Sequence, residues 1–168
     1  MISTKKHVRQ LVSLLNVKGI TDAVISPGSR NGPLIHTLAS SGKFNCRSIV
    51  DERSAAYFAL GMALKLQKPV VLVCSSGTAT LNYAPAVAEA FYQNIPLVVI
   101  TADRPPYWID QGENQTIRQD NIYRDFCKKE ITLPIGESEK ELWFAGRLIN
   151  ESLNTAVAGL PEIGRAHV

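Results

Sequence analysis

The sequence has little cysteine, and its three cysteines, Cys46, Cys74 and Cys127, lie far apart. An odd, widely spaced set excludes a disulfide framework, so we expect buried thiols in a reducing compartment. No apolar run reaches the roughly 20 residues of a membrane-spanning helix. The stretch Leu11–Leu15 is too short for the core of a secretory signal. These absences predict a cytoplasmic protein with no membrane partner.

Long blocks of basic residues are absent as well. Lys and Arg number 18 and Asp and Glu number 15, and the basic residues are scattered. This distribution excludes a nucleic-acid surface. The sequence also lacks a Gly-rich phosphate loop, a Cys-x-x-Cys, a His-Glu-x-x-His and a Gly-x-Ser-x-Gly motif. Because His7, His36 and His167 are far apart, we expect no metal ligand in this chain.

What the sequence does contain is a regular alternation of apolar strands and helices in a composition ordinary for one globular domain. Val70–Cys74 is a continuous apolar run, typical of a sheet covered on both faces. The pattern predicts strands near residues 23–25, 46–50, 70–74, 97–100 and 126–133, and helices near 8–15, 34–38, 54–66, 79–92 and 137–155. We therefore expect an α/β three-layer sandwich with a mainly parallel sheet.

Two of the predicted helices have unusual features. Ser54–Leu66 is apolar nearly all round, which is typical of a helix packed on more than one side. Pro85 lies inside the following helix, and we expect it to kink that helix or divide it in two.

The last residues of the chain do not continue the alternation. Residues 162–168 neither cap a helix nor extend a pattern, and they resemble a sequencing adapter translated in frame. We expect one domain at residues 1–161, followed at 162–168 by a non-native tail derived from read-through or an adapter. The natural protein would then continue beyond about Pro161, and the last strand of the C-terminally truncated domain would be missing.

The segments that follow the predicted strands contain the candidate functional residues. In a parallel sheet these segments emerge at one edge, where open α/β folds bind ligands. They supply the carboxylate of Glu52, the guanidinium groups of Arg30 and Arg104 and several helix N-termini, which favour anions. The segments are Pro27–Asn31, Asp51–Arg53, Ser75–Thr78 and Thr101–Arg104. The sequence therefore predicts a site for a negatively charged ligand.

Glu52 lies where the second strand ends and a helix begins. Acidic residues are favoured in the first turn of any helix, so position alone supports a structural and a functional role equally. Asp51 and Arg53 can cap and solvate this helix start, which leaves Glu52 available for proton transfer. We therefore predict that Glu52 is the catalytic residue.

Arg30 and Arg104 are the candidate anion-binding residues, because a guanidinium can bind a carboxylate through two hydrogen bonds. Each has a simpler explanation. Arg30 can be an ordinary surface arginine, and Asp103 can neutralise Arg104. The turn Ser75–Thr78 can likewise be only a helix cap.

Several motifs together resemble those of a known family in order and spacing. The resemblance is to the N-terminal domain of the 2-succinyl-5-enolpyruvyl-6-hydroxy-3-cyclohexene-1-carboxylate synthases, thiamine diphosphate-dependent enzymes of menaquinone biosynthesis, and it covers residues 1–161. Glu52 between a strand and a helix would by itself indicate only the wider thiamine diphosphate superfamily. The motifs are Ser26-Pro27-Gly28-Ser29-Arg30, Asp51-Glu52-Arg53, Ser75-Ser76-Gly77-Thr78-Ala79-Thr80, Thr101-Ala102-Asp103-Arg104-Pro105-Pro106 and Gly112-Glu113-Asn114-Gln115-Thr116-Ile117-Arg118-Gln119.

This resemblance implies an activity and a role for each candidate residue. The family decarboxylates 2-oxoglutarate and adds the resulting succinyl group to isochorismate. Glu52 would hydrogen-bond N1′ of the cofactor's aminopyrimidine, and Gly77 and Thr78 would also contact the cofactor. The loop Tyr107–Asn121 would bring two amides over the site. The substrate-binding residues implied are Ser29, Arg30, Arg104, Asn114 and Gln115.

The chain departs from the family in one large respect. It has no Gly-Asp-Gly segment with the downstream asparagine that the family uses to hold Mg²⁺, or Mn²⁺, and the diphosphate. Those ligands would therefore lie outside this chain. Family active sites form between this domain and the diphosphate-binding domain of another subunit, which implies a homodimer or tetramer. The chain would then hold half a site and be inactive alone.

Two alternatives to this interpretation remain open. One is a related thiamine diphosphate-dependent decarboxylase or an acetolactate-synthase-like carboligase, although a neutral substrate would not need both Arg30 and Arg104. The other is a non-catalytic ligand-binding or regulatory domain of the same fold. In that case Glu52→Gln would leave the function of the full-length protein unchanged.

Overall fold

A computed structural model describes residues 2–136 and 138–157 and the backbone of 164–167. The strands are β1 Asp22–Ile25, β2 Asn45–Ser48, β3 Val70–Cys74, β4 Leu97–Thr101, β5 Lys129–Thr132 and β6 Gly164–His167. They form a six-stranded sheet in the order β2-β1-β3-β4-β6-β5. Each neighbouring pair is parallel. The predicted parallel α/β sheet is confirmed.

The predicted helices are confirmed with small shifts of their ends. They are α1 Lys6–Val17, α2 Gly32–Ser40, α3 Glu52–Leu66, α4 Thr78–Tyr92 and α5 Glu139–Val157, with 3₁₀ turns at Pro106–Trp108 and Arg124–Phe126. None of these helices is long and apolar enough to cross a bilayer, as far as the described residues extend.

Of the two outcomes predicted for Pro85, a kink or a division of the helix, the structure excludes the division. The helix is continuous from Thr78 to Tyr92 with Pro85 inside it. Proline removes one backbone hydrogen bond, here the one to the carbonyl of Leu81. Pro85 and Leu81 are both exposed, so water can bond to that carbonyl in place of the missing N–H.

Each face of the sheet carries its own hydrophobic core, which gives the three predicted layers. Alternate residues of a strand point to opposite faces. Val71 and Val73 of β3 pack with α1, α2 and α5, whereas Leu72 and Cys74 of the same strand pack with α3 and α4. The carboxyl ends of the central strands are therefore held from both sides, and the turns that follow them start from fixed points.

The edge strand and the helix after it are more exposed than the sequence indicates. All four residues of β2 are exposed, and the strand ends before Val50, so its predicted extent was wrong. The expectation of three buried thiols was also wrong, because Cys46 on β2 is exposed and Cys127 only partly buried.

The prediction that α3 packs on more than one side does not hold within the chain. The buried residues of α3 are alanines. Tyr57, Phe58 and Leu64 of α3 are 42%, 45% and 52% exposed, so this helix is packed on one side only within the chain.

A sixth strand follows α5 in the structure, where the sequence pattern predicts none. The expectation that the natural last strand is missing stays a prediction, because it depends on the origin of these residues. The backbone of Gly164–His167 pairs with β4 on one side and β5 on the other. Strand pairing uses backbone groups and does not depend on a recognisable apolar pattern, so the sequence gave no indication of it. The assignment of residues 162–168 to a non-native tail stays a prediction.

Candidate active site

The turns after β2, β1, β3 and β4 lie side by side at the carboxyl edge of the sheet, in that order. The chain order reverses between β1 and β3, and ligands in open parallel sheets bind at such a switch point. The turn after β1 is therefore flanked by Glu52, after β2, and by Gly77, after β3.

Glu52 is the first residue of α3 and is half-buried. The preceding residue caps the helix, because the Asp51 carboxylate accepts a hydrogen bond of 2.7 Å from the backbone N–H of Ser54. Glu52 itself makes no hydrogen bond or ion pair within the described part of the chain. The prediction that Asp51 caps this helix is confirmed. The Glu52 carboxylate is left available to a ligand.

Asp51 gives a prediction about pH. The hydrogen bonds from Ser54 lower the pKa of Asp51 below its ordinary value. A carboxylate whose pKa is lower in the folded state stabilises the fold above its unfolded pKa, and this contribution is lost as pH falls through the folded pKa. Asp51→Ala should therefore lower the melting temperature near neutral pH, and the difference from wild type should shrink in acid. Asp51→Asn, which keeps the cap without titrating, is the control, and a difference independent of pH would contradict the assignment.

A buried tyrosine lies beneath this edge and was not predicted. The Tyr83 hydroxyl donates to the carbonyl of Val73 at 2.8 Å and lies 3.1 Å from Ser26 Oγ. Burial raises the pKa of Tyr83 far above its ordinary value, and the charges of Cys74 and Glu52 act in the same direction. Tyr83 therefore stays a neutral donor beneath the turns after β1 and β3.

The turn after β1 is fixed by a buried amide. Asn31 donates to the carbonyl of Ser26 and accepts from the N–H of Gly28, both at 2.8 Å. Ser29 and Arg30 are exposed at the outside of this turn, and Arg30 Nη1 donates to Ser29 Oγ at 3.3 Å. Ser29 and Arg30, two of the predicted substrate residues, therefore lie together on a turn whose backbone is fixed by Asn31.

The turn after β3 is in close contact with the long loop that follows β4. Gly77 has φ +78°, and a Cβ there would lie 2.7 Å from the carbonyl oxygen of Gln115. The Gly77 N–H donates to Gln119 Oε1 at 2.7 Å, and its carbonyl accepts from Thr80. Thr78 begins α4 with an exposed side chain. The missing side chain of Gly77 therefore allows the Gln115 backbone to approach closely, while Thr78 offers an exposed hydroxyl to a ligand.

Arg104 is 8% exposed. Its Nη2 donates to the carbonyl of Asn114 at 2.7 Å, and its guanidinium lies 5.1 Å from the centre of the Trp108 ring. Asp103 accepts a hydrogen bond from the backbone N–H of Arg104. Arg104 therefore holds the loop, while its Nε is buried without a hydrogen-bond partner among the described residues.

Asn114 and Gln115 form an exposed pair at the tip of the loop. The backbone of Gln115 is left-handed, with φ +54°. Non-glycine residues adopt this conformation at a cost, so contacts around Gln115 must hold its backbone there. The carbonyls of Asn114 and Gln115 are held by Arg104 and Ser76, so the side-chain amides are free to face a ligand.

The structure thus gathers the predicted residues into two groups. Arg104, Asn114, Gln115 and Gly77 are linked by contacts, and Ser29 and Arg30 share another turn. Glu52 is on the far side of that turn, about 14 Å from the end of β4 at ordinary strand spacing. A cavity of about 340 Å³ lies at the opposite edge of the sheet, between the ends of α3, α4 and α5, and is not part of this site.

The residues present fit one part of thiamine diphosphate. An aminopyrimidine needs a carboxylate for its ring nitrogen, and Glu52 meets this need. Ser75 Oγ is buried beside Gly28 without a hydrogen-bond partner within the described residues, which leaves a polar atom for a ligand. In the described part of the chain, no three His, Cys, Asp or Glu side chains cluster as a metal site.

Three residues that shape the site were missed from sequence. Ser76 and Gln119 are each 1% exposed and Tyr83 is fully buried. Ser76 and Gln119 stand in the quoted motifs, but polar segments give no periodicity from which burial can be predicted. The helical spacing of Tyr83 indicates only a core position.

The fold and the site define a class of protein. A family model described as "Thiamine pyrophosphate enzyme, N-terminal TPP binding domain" matches residues 5–122, which include Glu52, Gly77, Arg104 and the amide pair. The chain belongs to this family.

The chain is also similar to proteins with a more particular name, 2-succinyl-5-enolpyruvyl-6-hydroxy-3-cyclohexene-1-carboxylate synthase. It is 52% identical over 153 residues to the protein of that name from Bacteroides thetaiotaomicron, covering 91% of this chain and 28% of the relative. For Porphyromonas gingivalis the identity is 50% over 167 residues, covering 99% and 29%. For Flavobacterium psychrophilum it is 57% over 132 residues, covering 79% and 24%. The resemblance found from the motifs is confirmed, and the chain spans less than a third of the length of these relatives.

Proposed function

We propose that the complete enzyme containing this domain decarboxylates 2-oxoglutarate and adds the succinyl group to isochorismate, as a cytoplasmic transferase of menaquinone biosynthesis. The product would be 2-succinyl-5-enolpyruvyl-6-hydroxy-3-cyclohexene-1-carboxylate. The observation that carries the proposal is Glu52, a half-buried carboxylate at the carboxyl edge of a sheet of this family that has no hydrogen-bond or ion-pair partner among the described residues. The names of the relatives support the choice of reaction.

Glu52 would hold the pyrimidine end of thiamine diphosphate. Its carboxyl group would share a proton with N1′, with Gly77 and Thr78 on the adjacent turn. The bound cofactor supplies the electron sink that allows a 2-oxo acid to lose carbon dioxide and react as a nucleophile. Tyr83, neutral and buried, would keep the floor beneath Glu52 uncharged. Mg²⁺, or Mn²⁺, and the diphosphate would be held by residues outside this chain.

The substrates would be bound on the side of Gly77 away from Glu52 and on the turn after β1. Both substrates carry carboxylates, and isochorismate also carries a hydroxyl. Arg30, with Ser29 beside it, can reach a carboxylate from an exposed position. Asn114 and Gln115 can donate to carboxylate or hydroxyl oxygens. The unpaired Nε of the buried Arg104 gives a further donor.

A second subunit of the complete enzyme would cover the open face of α3, and its diphosphate-binding domain would complete the site. The pattern of this helix predicts packing on more than one side, yet Tyr57, Phe58 and Leu64 are about half exposed. Large exposed apolar side chains grouped on one element mark interaction surfaces. We propose a homodimer, or a tetramer built from it, in which this domain supplies half of each active site. The isolated chain would then be inactive.

The two arginines give a test of substrate binding. In the complete enzyme, Arg30→Ala and Arg104→Ala should each raise a substrate KM by about tenfold or more, since a hydrogen bond to a charged group is lost. The measurement is KM and kcat for each substrate separately. Arg9→Ala on α1, where Arg9 is exposed as Arg30 is, is the control for the loss of positive charge. If Arg30→Ala and Arg104→Ala keep wild-type kinetics for both substrates, neither arginine belongs to the site.

The reaction itself is tested with the complete enzyme, thiamine diphosphate and Mg²⁺. Product formation from 2-oxoglutarate and isochorismate is expected, with little carboligation of pyruvate. Turnover of pyruvate alone would favour the acetolactate-synthase-like alternative. No cofactor-dependent reaction with any 2-oxo acid would favour a non-catalytic domain.

A further inference from the structure

Gln119 is a buried polar residue in the loop that follows β4. It is 1% exposed, whereas Glu113, Asn114 and Gln115 earlier in the loop are exposed. Its Oε1 accepts the backbone N–H of Gly77 at 2.7 Å. Its Nε2 donates to the carbonyl of Ala102 at 2.9 Å. One side-chain amide thus joins the loop to the turn after β3 and to the end of β4.

The segment that Gln119 fixes carries Asn114 and Gln115, whose side-chain amides are exposed. Gly77, held by Gln119, packs its α-carbon against the backbone of Gln115, and Ser76 Oγ donates to the Gln115 carbonyl at 3.1 Å. Gln115 is held there in a left-handed conformation, φ +54°, that an unrestrained glutamine rarely adopts. A residue keeps such a strained conformation only when the contacts around it hold its backbone in place.

We propose that Gln119 is a positioning residue that locks the backbone of Gln115 and so aims the amides of Asn114 and Gln115 at the substrate. The part that concerns substrate rests on the proposed function. The part that concerns the loop rests on the contacts alone. We call the set of bonds from Gln119 to Gly77 and Ala102 the Gln119 brace.

The brace requires a side chain that accepts at one atom and donates at another. Leucine has a similar shape and would leave the Gly77 N–H and the Ala102 carbonyl buried and unpaired. Glutamate keeps the acceptor, but as a carboxylate it cannot donate to Ala102. Once protonated, glutamate can donate again, so the effect of Gln119→Glu should depend on pH.

The experiment compares Gln119→Leu and Gln119→Glu with wild type in the complete enzyme. Ile149→Val, in the core on the other face of the sheet, is the control for general destabilisation. Amide hydrogen exchange is measured for residues 107–121, and KM and kcat are measured for both substrates well below the melting temperature. Gln119→Leu should speed exchange in this loop about tenfold or more. It should also raise the KM of one substrate about tenfold, more than it lowers kcat.

The pH profile separates positioning from a loss of stability. The ratio of the Gln119→Glu KM to the wild-type KM should fall toward one as pH is lowered, because the protonated side chain restores the bond to Ala102. Gln119→Glu also keeps the test decisive if Gln119→Leu does not fold. Ile149→Val should change neither loop exchange nor KM.

Three results would overturn the proposal: unchanged exchange at residues 107–121 in Gln119→Leu, an equal rise of KM in Ile149→Val, or a KM ratio for Gln119→Glu that is constant with pH. An inactive wild-type enzyme would refute the proposed function instead. The exchange comparison would still decide whether the Gln119 brace holds the loop.

Discussion

Glu52→Gln lowers kcat of the complete enzyme by about two to four orders of magnitude, with little change in the melting temperature. Glutamine has the shape of glutamate but cannot share an exchangeable acidic proton with N1′. The fold should tolerate the change, because the Glu52 carboxylate makes no hydrogen bond or ion pair with the described residues. The first turn of α3 also keeps Asp51 as its cap.

The matched control for this variant is Glu139→Gln. Glu139 is likewise the first residue of a helix, α5, and is exposed away from the site. It tests whether loss of one negative charge at a helix start affects the rate by itself. Both variants are compared with wild type for kcat, KM and melting temperature. Equal kcat for wild type and Glu52→Gln would remove Glu52 from the chemistry.

Gly77→Ala should disrupt the site through the backbone. The new Cβ would lie 2.7 Å from the Gln115 carbonyl oxygen, and alanine is strained at φ +78°. Strain at such a position amounts to about 1–3 kcal/mol, and displacement of the packed loop adds to it. We therefore expect a clear loss of unfolding free energy together with a rise in substrate KM, as the backbone of Gln115 is pushed away.

Gly19→Ala separates these two effects. Gly19 has φ +71°, but a Cβ there meets nothing within 4 Å. It should therefore show the loss of stability from backbone strain without any change in KM. Denaturant unfolding and steady-state kinetics of both variants make the comparison. If Gly77→Ala loses no more stability than Gly19→Ala and keeps a normal KM, Gly77 and Gln115 are not in the close contact described.

The sequence predicts the framework of this domain well, because burial on both faces of a parallel sheet leaves continuous apolar runs such as Val70–Cys74. It also predicts that Glu52 lies at the carboxyl edge, since strand and helix periodicities meet there. It finds β2 but is wrong about where the strand ends and about the burial of Cys46, because this edge strand is exposed on both faces. It fails at β6, because pairing between strands uses backbone groups that every sequence has.

The details of the loop after β4 could not be predicted for a different reason. Arg104 and Gln119 are buried by contacts with residues distant in sequence, and a polar segment shows no pattern that reveals such contacts. The left-handed conformation of Gln115 depends on the same contacts, since glutamine has no intrinsic preference for it. The sequence therefore names candidate site residues, and the structure adds how their backbone is held.

The role of Glu52 is tested most directly by the exchange of the C2 proton of bound thiamine diphosphate for deuterium. The rate is measured by quenched-flow NMR in wild type and Glu52→Gln, each saturated with cofactor and without substrate. Exchange that is slower in the variant by about two orders of magnitude or more is the predicted result. Equal exchange rates at equal cofactor occupancy would contradict a role for this carboxylate in activating the cofactor.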